Sequence, residues 1–184
     1  MHRCTALATI VIFLLALPDA SSAQDRTGWS VSGMVGVSQI RDEDEADTFD
    51  GNSLGLALDG EFRFTENIAV GLGLFSLGRA DDTFDAVDTE ISVRGFSIFG
   101  RAIYPVSDSV DIYGRIGSAV YYVDIDPGGV SLADLFGEDA VELGLGIDFG
   151  RQEKLAYRLE ARYYNGGKEE TGALLTFGFN YLFR

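Results

Sequence analysis

The side chains that most often do chemistry are nearly absent from this sequence. Its single His and single Cys are His2 and Cys4, both within the first 23 residues. Beyond them the chain offers no thiolate, no disulfide and no imidazole base, and a Ser nucleophile would have no His to take its proton. What remains is charge at regular spacing. Asp59, Glu61 and Arg63 stand two apart, as do Arg158, Glu160 and Arg162; Arg101, Asp111, Arg115, Glu142 and Asp148 fall on the same kind of alternation. Residues two apart share one face of a β-strand. Carboxylates paired in this way can do general acid–base work. Here, however, five Arg nearly balance six acids on the candidate polar faces, which favours a network of structural ion pairs and no enzymatic activity.

A second charged feature has a different character. The stretches 41–53, 81–90, 124–140 and 165–170 hold 18 acidic residues against only Arg41 and Lys168. Clustered carboxylates suit Ca²⁺ or Mg²⁺, and Asp42, Asp44, Glu45, Asp47 and Asp50 are the candidate ligands, although their spacing is not that of an EF-hand loop. A solvated loop surface explains the same composition, and docking of a basic partner or of cation-bridged lipopolysaccharide is a third reading. No cofactor is expected. A formal net charge of -15 over 184 residues argues against nucleic acid as a partner.

Such charges need elements to hold them. Residues 1–23 read as a secretory signal: a positive start at Arg3, an apolar run from Thr5 to Leu17, a break at Pro18, and small residues at Ser21, Ser22 and Ala23. Residues 24–184 then form one domain. Removing the signal takes away Arg3 and Asp19 together, so 13 basic and 28 acidic residues remain. After it no apolar run is long enough for a membrane-spanning helix. Instead, period-2 alternation recurs in eight segments: 29–40, 54–64, 68–80, 91–104, 110–123, 141–150, 155–164 and 172–183. In the seventh, Leu155, Tyr157, Leu159, Ala161 and Tyr163 oppose Ala156, Arg158, Glu160, Arg162 and Tyr164. Short connections (65–67, 105–109, 151–154) alternate with the four longer acidic ones, which is the signature of an up-and-down meander.

Alternation does not say which face is inside. A soluble barrel turns its apolar face inward around a lipophilic ligand; a membrane barrel turns it outward to lipid. Volume favours the second arrangement. The polar faces carry small residues (Gly55, Ala57, Gly71, Gly73, Gly144, Gly146, Gly172, Gly178) and the apolar faces carry the bulk, as a narrow interior requires. Near-neutral pairing of the polar-face charges also fits burial. Aromatics gather near the short-turn ends of the strands: Trp29, Phe62, Phe64, Tyr104, Phe149, Tyr157, Tyr181 and Phe183. An interfacial girdle would sit there. The expectation is an all-β, eight-stranded antiparallel transmembrane β-barrel with a charged, side-chain-filled interior. Within the long connections, Leu132–Phe136 reads as one helical turn packed on the rim or as a contact site, with local loop packing the favoured reading.

With the signal, the strands, the charged faces and the terminal LTFGFNYLF, the mature chain resembles the small outer-membrane β-barrel family of Gram-negative bacteria, the OmpA-barrel, OmpX and opacity-protein-like group. The resemblance implies a bacterial outer-membrane location, periplasmic termini and extracellular long loops. It also implies insertion by the barrel-assembly machinery, read from a final strand that ends in an aromatic. Phe177, Phe179, Tyr181 and Phe183 match that assembly signal, and Arg184 departs from it by following the terminal Phe. The implied partners are outer-membrane lipid, lipopolysaccharide and an unidentified surface partner. The implied function is a surface or envelope-integrity role, or binding through the acidic loops. A soluble periplasmic lipophilic-ligand barrel and a narrow cation-selective pore stand as alternatives.

Overall fold

In the computed structural model, residues 27–43, 48–84, 87–127, 132–133, 138–150, 154–166 and 170–183 are described; the signal segment and Arg184 lie outside them. Nine strands appear: β1 (Gly28–Glu43), β2 (Thr48–Arg63), β3 (Ile68–Phe84), β4 (Val87–Ser107), β5 (Val110–Pro127), β6 (Leu132–Ala133), β7 (Glu138–Phe149), β8 (Leu155–Asn165) and β9 (Glu170–Leu182). All but β6 pair antiparallel with both neighbours. The order β4-β3-β2-β1-β9-β8-β7-β5 closes on itself through β4–β5. The fold is therefore a closed eight-stranded antiparallel barrel, and closure removes the free edges that an open sheet would expose.

The strands outrun the alternation. The four connections expected to be long shrink because pairing continues: β1 and β2 stay in register to Glu43↔Thr48, and β3 and β4 to Phe84↔Val87. Asp42, Glu43 and Asp50 are thus strand residues rather than loop residues. The reason is that a hydrogen-bonded ladder needs no apolar face. Pairing is made by the backbone, so it persists where the sequence stops alternating. Leu132–Ala133 also departs from expectation. These two residues form a short strand on Asp124 and Ile125 of β5, and residues 134–136 of the expected turn lie outside the described residues.

Two register shifts bend the wall, at Ser76/Gly78 in β3 and at Pro105/Ser107 in β4. Gly78 has φ +77°, a value open to glycine at little cost, so the bulge forms without strain.

The wall is polarised inside out. β8 alternates exposed and buried over its eleven residues. Outward side chains are large and apolar, with Leu145 72% and Leu72 65% exposed, while the inward charges Asp59, Asp111, Glu142 and Arg158 are 0% exposed. A continuous apolar belt of this extent far exceeds what a soluble monomer shows to water. The arrangement overturns the soluble-carrier alternative, which needs the apolar face inside. At the short-turn margin the girdle aromatics point outward and touch: Trp29–Phe62 at 5.2 Å, Phe62–Phe64 at 4.8 Å, Tyr157–Phe179 at 5.4 Å and Tyr181–Phe183 at 5.1 Å between centroids.

Candidate functional site

The strand parity that sends Leu145 outward sends every charged residue of the alternating set inward, where they stack in three layers. Nearest the short turns, Arg63 of β2 meets Asp111 of β5 at 3.3 Å and also donates from Nε to the Thr65 carbonyl at 3.3 Å. Its Nη2 donates to the Glu66 carbonyl.

The second layer joins Glu61, Arg101, Asp148 and Arg158. Arg158 grips Asp148 with two donors, Nε to Oδ1 at 2.7 Å and Nη2 to Oδ2 at 3.0 Å. It also reaches Glu61 at 3.3 Å and donates to Ser32 Oγ at 3.1 Å. Arg101 bridges the same two carboxylates, at 2.5 Å to Glu61 and 3.2 Å to Asp148. Ser30 Oγ donates to Glu61 at 3.1 Å. Tyr113 lies beneath both guanidiniums, its ring centroid 3.5 Å from Arg101 Cζ and 5.3 Å from Arg158 Cζ, close enough for a cation–π attraction.

The third layer holds two Arg among three carboxylates. Arg115 contacts Asp59 at 2.8 Å and Glu142 at 2.9 Å, and its Nη2 donates to Ser97 Oγ at 3.2 Å. Arg162 contacts Glu160 at 2.9 Å and pairs with Asp59. The Arg115 guanidinium lies over the Phe99 ring, 3.4 Å from its centroid. Glycine provides the room. A Cβ on Gly73 would stand 2.6 Å from Asp59 Oδ1 and 2.9 Å from Ser97 Oγ, so any larger residue would displace the pair.

This arrangement is built for holding rather than reacting. Every carboxylate of the set faces at least one guanidinium, and these side chains fill the lumen between the strands. Arg63, Arg101, Arg115, Arg158 and Arg162 all find partners among Asp59, Glu61, Asp111, Glu142, Asp148 and Glu160. Truncating one member of such a buried pair costs about 3–5 kcal/mol, because its partner is left charged and dry.

Toward the long hairpins the lumen changes character. Met34 (β1), Ala57 (β2), Phe75 and Leu77 (β3), Val93 (β4), Ala119 and Tyr121 (β5), Ala140 (β7), Tyr164 (β8) and Leu174 (β9) form one buried apolar cluster. Sequence reading puts Tyr164 and Leu174 on inward faces but does not join them to Phe75, Leu77 or Val93. The signal was available in principle: Phe75 follows Gly73 by two residues, and Tyr164 follows Arg162 by two.

At the outer rim the register aligns acidic positions across strands. Asp81 pairs with Glu90, which pairs with Asp126 on its other side, and Asp42 pairs with Glu170. Asp50 pairs with Arg41. Of the five candidate metal ligands, Asp42 and Asp50 are placed in paired strands, while Asp44, Glu45 and Asp47 lie outside the described residues. Among the described residues no three acidic groups converge as a metal-holding set. On β9, Phe177, Phe179 and Tyr181 face outward, and Phe183 follows the strand, also exposed.

Comparison with known proteins places this architecture. A family model described as "Outer membrane protein beta-barrel domain" matches residues 7–183. Outer membrane protein A of Shigella flexneri is 27% identical over 194 residues, which cover 97% of this chain and 55% of that protein. The chain thus spans about half the length of the curated relatives it matches. Among solved structures, Neisserial surface protein A superposes with a TM-score of 0.63 at 13% identity, covering 85% of this chain and 98% of that one. Ail, the attachment invasion locus protein of Yersinia pestis, was solved in complex with the heparin analogue sucrose octasulfate. It superposes with a TM-score of 0.56 at 16% identity, covering 85% of this chain and 99% of its own.

Proposed function

Because the chain belongs to the outer membrane protein β-barrel domain family, we propose that it is a non-enzymatic integral protein of the bacterial outer membrane. The barrel is its anchor and the acidic hairpins are its working surface. The observation that carries this reading is the polarity of the wall: apolar residues such as Leu145 face out while Arg158 and its partners are buried within. The termini lie on the periplasmic side and the long hairpins outside the cell, so that Phe177, Phe179, Tyr181 and Phe183 lead insertion by the assembly machinery. The lack of His and Cys after residue 23 supports the non-enzymatic part of the reading.

The partner chemistry follows from charge. Ail is described with a polyanion bound, whereas the four hairpin stretches here hold 18 acidic residues and two basic ones. A polyanion would be repelled. The surface suits a cation-bridged anionic ligand, and the lipopolysaccharide that surrounds an outer-membrane barrel is the nearest one. A test is retention of purified lipopolysaccharide by the protein in phospholipid nanodiscs, with Mg²⁺ present and after chelation. Retention should rise with millimolar Mg²⁺ and fall on chelation; retention indifferent to Mg²⁺ would overturn the bridged-ligand reading. The anchor reading is tested separately by electrophoresis in detergent, where the folded barrel should migrate differently before and after boiling.

A further inference from the structure

The lipid-facing wall is not uniformly bulky. Across β4, β5, β7 and β8 it sinks into two hollows of about 940 and 510 Å³, volumes in the roughly 300–1,000 Å³ range of small-molecule sites. Both are lined by Ala102, Gly114, Leu145 and Ala161, so they form one groove. Beneath it the ladder is unbroken, from Ala102↔Gly114 through Gly114↔Leu145 to Leu145↔Ala161. The groove is therefore a hollow in the outer surface and not an opening into the lumen. Its floor holds glycines that the lumen does not require. A Cβ on Gly100 would meet nothing within 4 Å, and one on Gly114 would meet only Leu145 Cδ2 at 4.0 Å, whereas one on the inward Gly73 would strike Asp59 at 2.6 Å. Glycine weakens a strand and recurs where a ligand approaches the backbone closely. Gly60 is as open as Gly100 but lines neither hollow.

We propose that this groove binds one acyl chain of a phospholipid from the periplasmic leaflet, a lipid that stays with the barrel while the lipid around the rest of the belt exchanges. The chemistry of the occupant follows from its place. The groove is continuous with the outward apolar band, whose surroundings are hydrocarbon, and Val70, Ile116 and Leu143 stand exposed around it. A second barrel presents a convex wall, which would rest on the rim and leave the floor empty. A single flexible chain reaches the floor and gains the contacts that an empty hollow forfeits. The leaflet follows from position along the strands. Ala102 stands two residues from the girdle residue Tyr104, and Leu145 and Ala161 stand four from Phe149 and Tyr157. A crossing takes about 9–11 residues, so the floor lies in the half of the bilayer next to the short turns. The orientation proposed above makes that half the periplasmic leaflet, which is built of phospholipid, and the choice of source rests on that orientation.

The test is native mass spectrometry of the protein released from nanodiscs that contain phosphatidylethanolamine and, in a parallel set, lipopolysaccharide as well. It compares the wild type with Gly100→Leu/Gly114→Leu, which fills the floor, and with Gly60→Leu, which adds the same bulk outside the groove. Each is first shown to be folded by its mobility shift on boiling. The wild type and Gly60→Leu should keep one phospholipid per barrel, and the floor variant should lose it. If the floor variant does not fold, Ala161→Phe fills the groove from β8 and is read in the same way. A wild type released bare, equal retention by the floor variant, loss from Gly60→Leu as well, or a second copy of the chain held in place of lipid would each overturn the proposal. Retention of lipopolysaccharide in place of phospholipid would overturn the leaflet assignment. Loss of the mobility shift in the wild type would instead overturn the barrel reading itself.

Discussion

The two halves of the lumen share one wall and one strand parity, yet they are held in opposite ways. Toward the short turns, five Arg and six acids interlock, in part across non-adjacent strands, as Arg158 of β8 does with Glu61 of β2. Toward the long hairpins, ten apolar side chains pack with no directional demand. Directional pairs are costly to desolvate and gain little net stability over an apolar filling, but they penalise every wrong pairing. Because a one-residue slip turns every side chain to the opposite face, a slip here would send Arg158 or Asp59 into lipid. The charged half therefore enforces register, while the apolar half fills the rest of the lumen by packing alone.

Substitutions can break or sharpen this contrast. The largest effect is expected for Arg158→Ala, which strands Asp148 and Glu61 in a dry interior. Its urea midpoint, followed by the gel mobility shift, should fall by the equivalent of about 3–5 kcal/mol, and an unchanged midpoint would mean that the charges are hydrated rather than paired. Leu174→Ala in the apolar cluster should cost less, about 2 kcal/mol, the low end for a buried Leu, because only transfer and cavity terms are lost. A loss as large as that of Arg158→Ala would erase the distinction between the halves. The smallest change is expected for Tyr113→Phe. The Tyr113 hydroxyl is buried without a hydrogen-bond partner, and its ring carries the contact with Arg101. Stability should stay within about 0.5 kcal/mol of the wild type, since no hydrogen bond is lost; a larger fall would place the hydroxyl inside the charged network.

Much of this could be read directly along the chain. The parity of β8 was explicit in LAYRLEARYY, where Ala156, Arg158, Glu160 and Arg162 alternate with apolar residues, and the same held for Asp59–Glu61–Arg63. Glycines opposite bulky residues stated that the polar face is crowded. The hairpin extensions were not legible, because near Asp42 and Asp81 polar residues follow one another and the composition stops alternating. The apolar cluster was not legible either. Phe75 and Leu77 look like continuations of the apolar run in β3, and only their position after Gly71 and Gly73 assigns them inward.

By itself, the sequence determined the alternating part of each strand, the parity of its charged residues and the absence of imidazole and thiol side chains after residue 23. These are local properties, fixed by a two-residue period and by composition. Only the tertiary structure decided who meets whom. Arg158 reaches Glu61 from β8 to β2, Arg115 reaches Asp59 from β5 to β2, and Phe75 finds Tyr164 across the whole lumen. Those contacts join residues far apart in the chain, and they exist only because closure of the sheet brings its inner face into contact with itself.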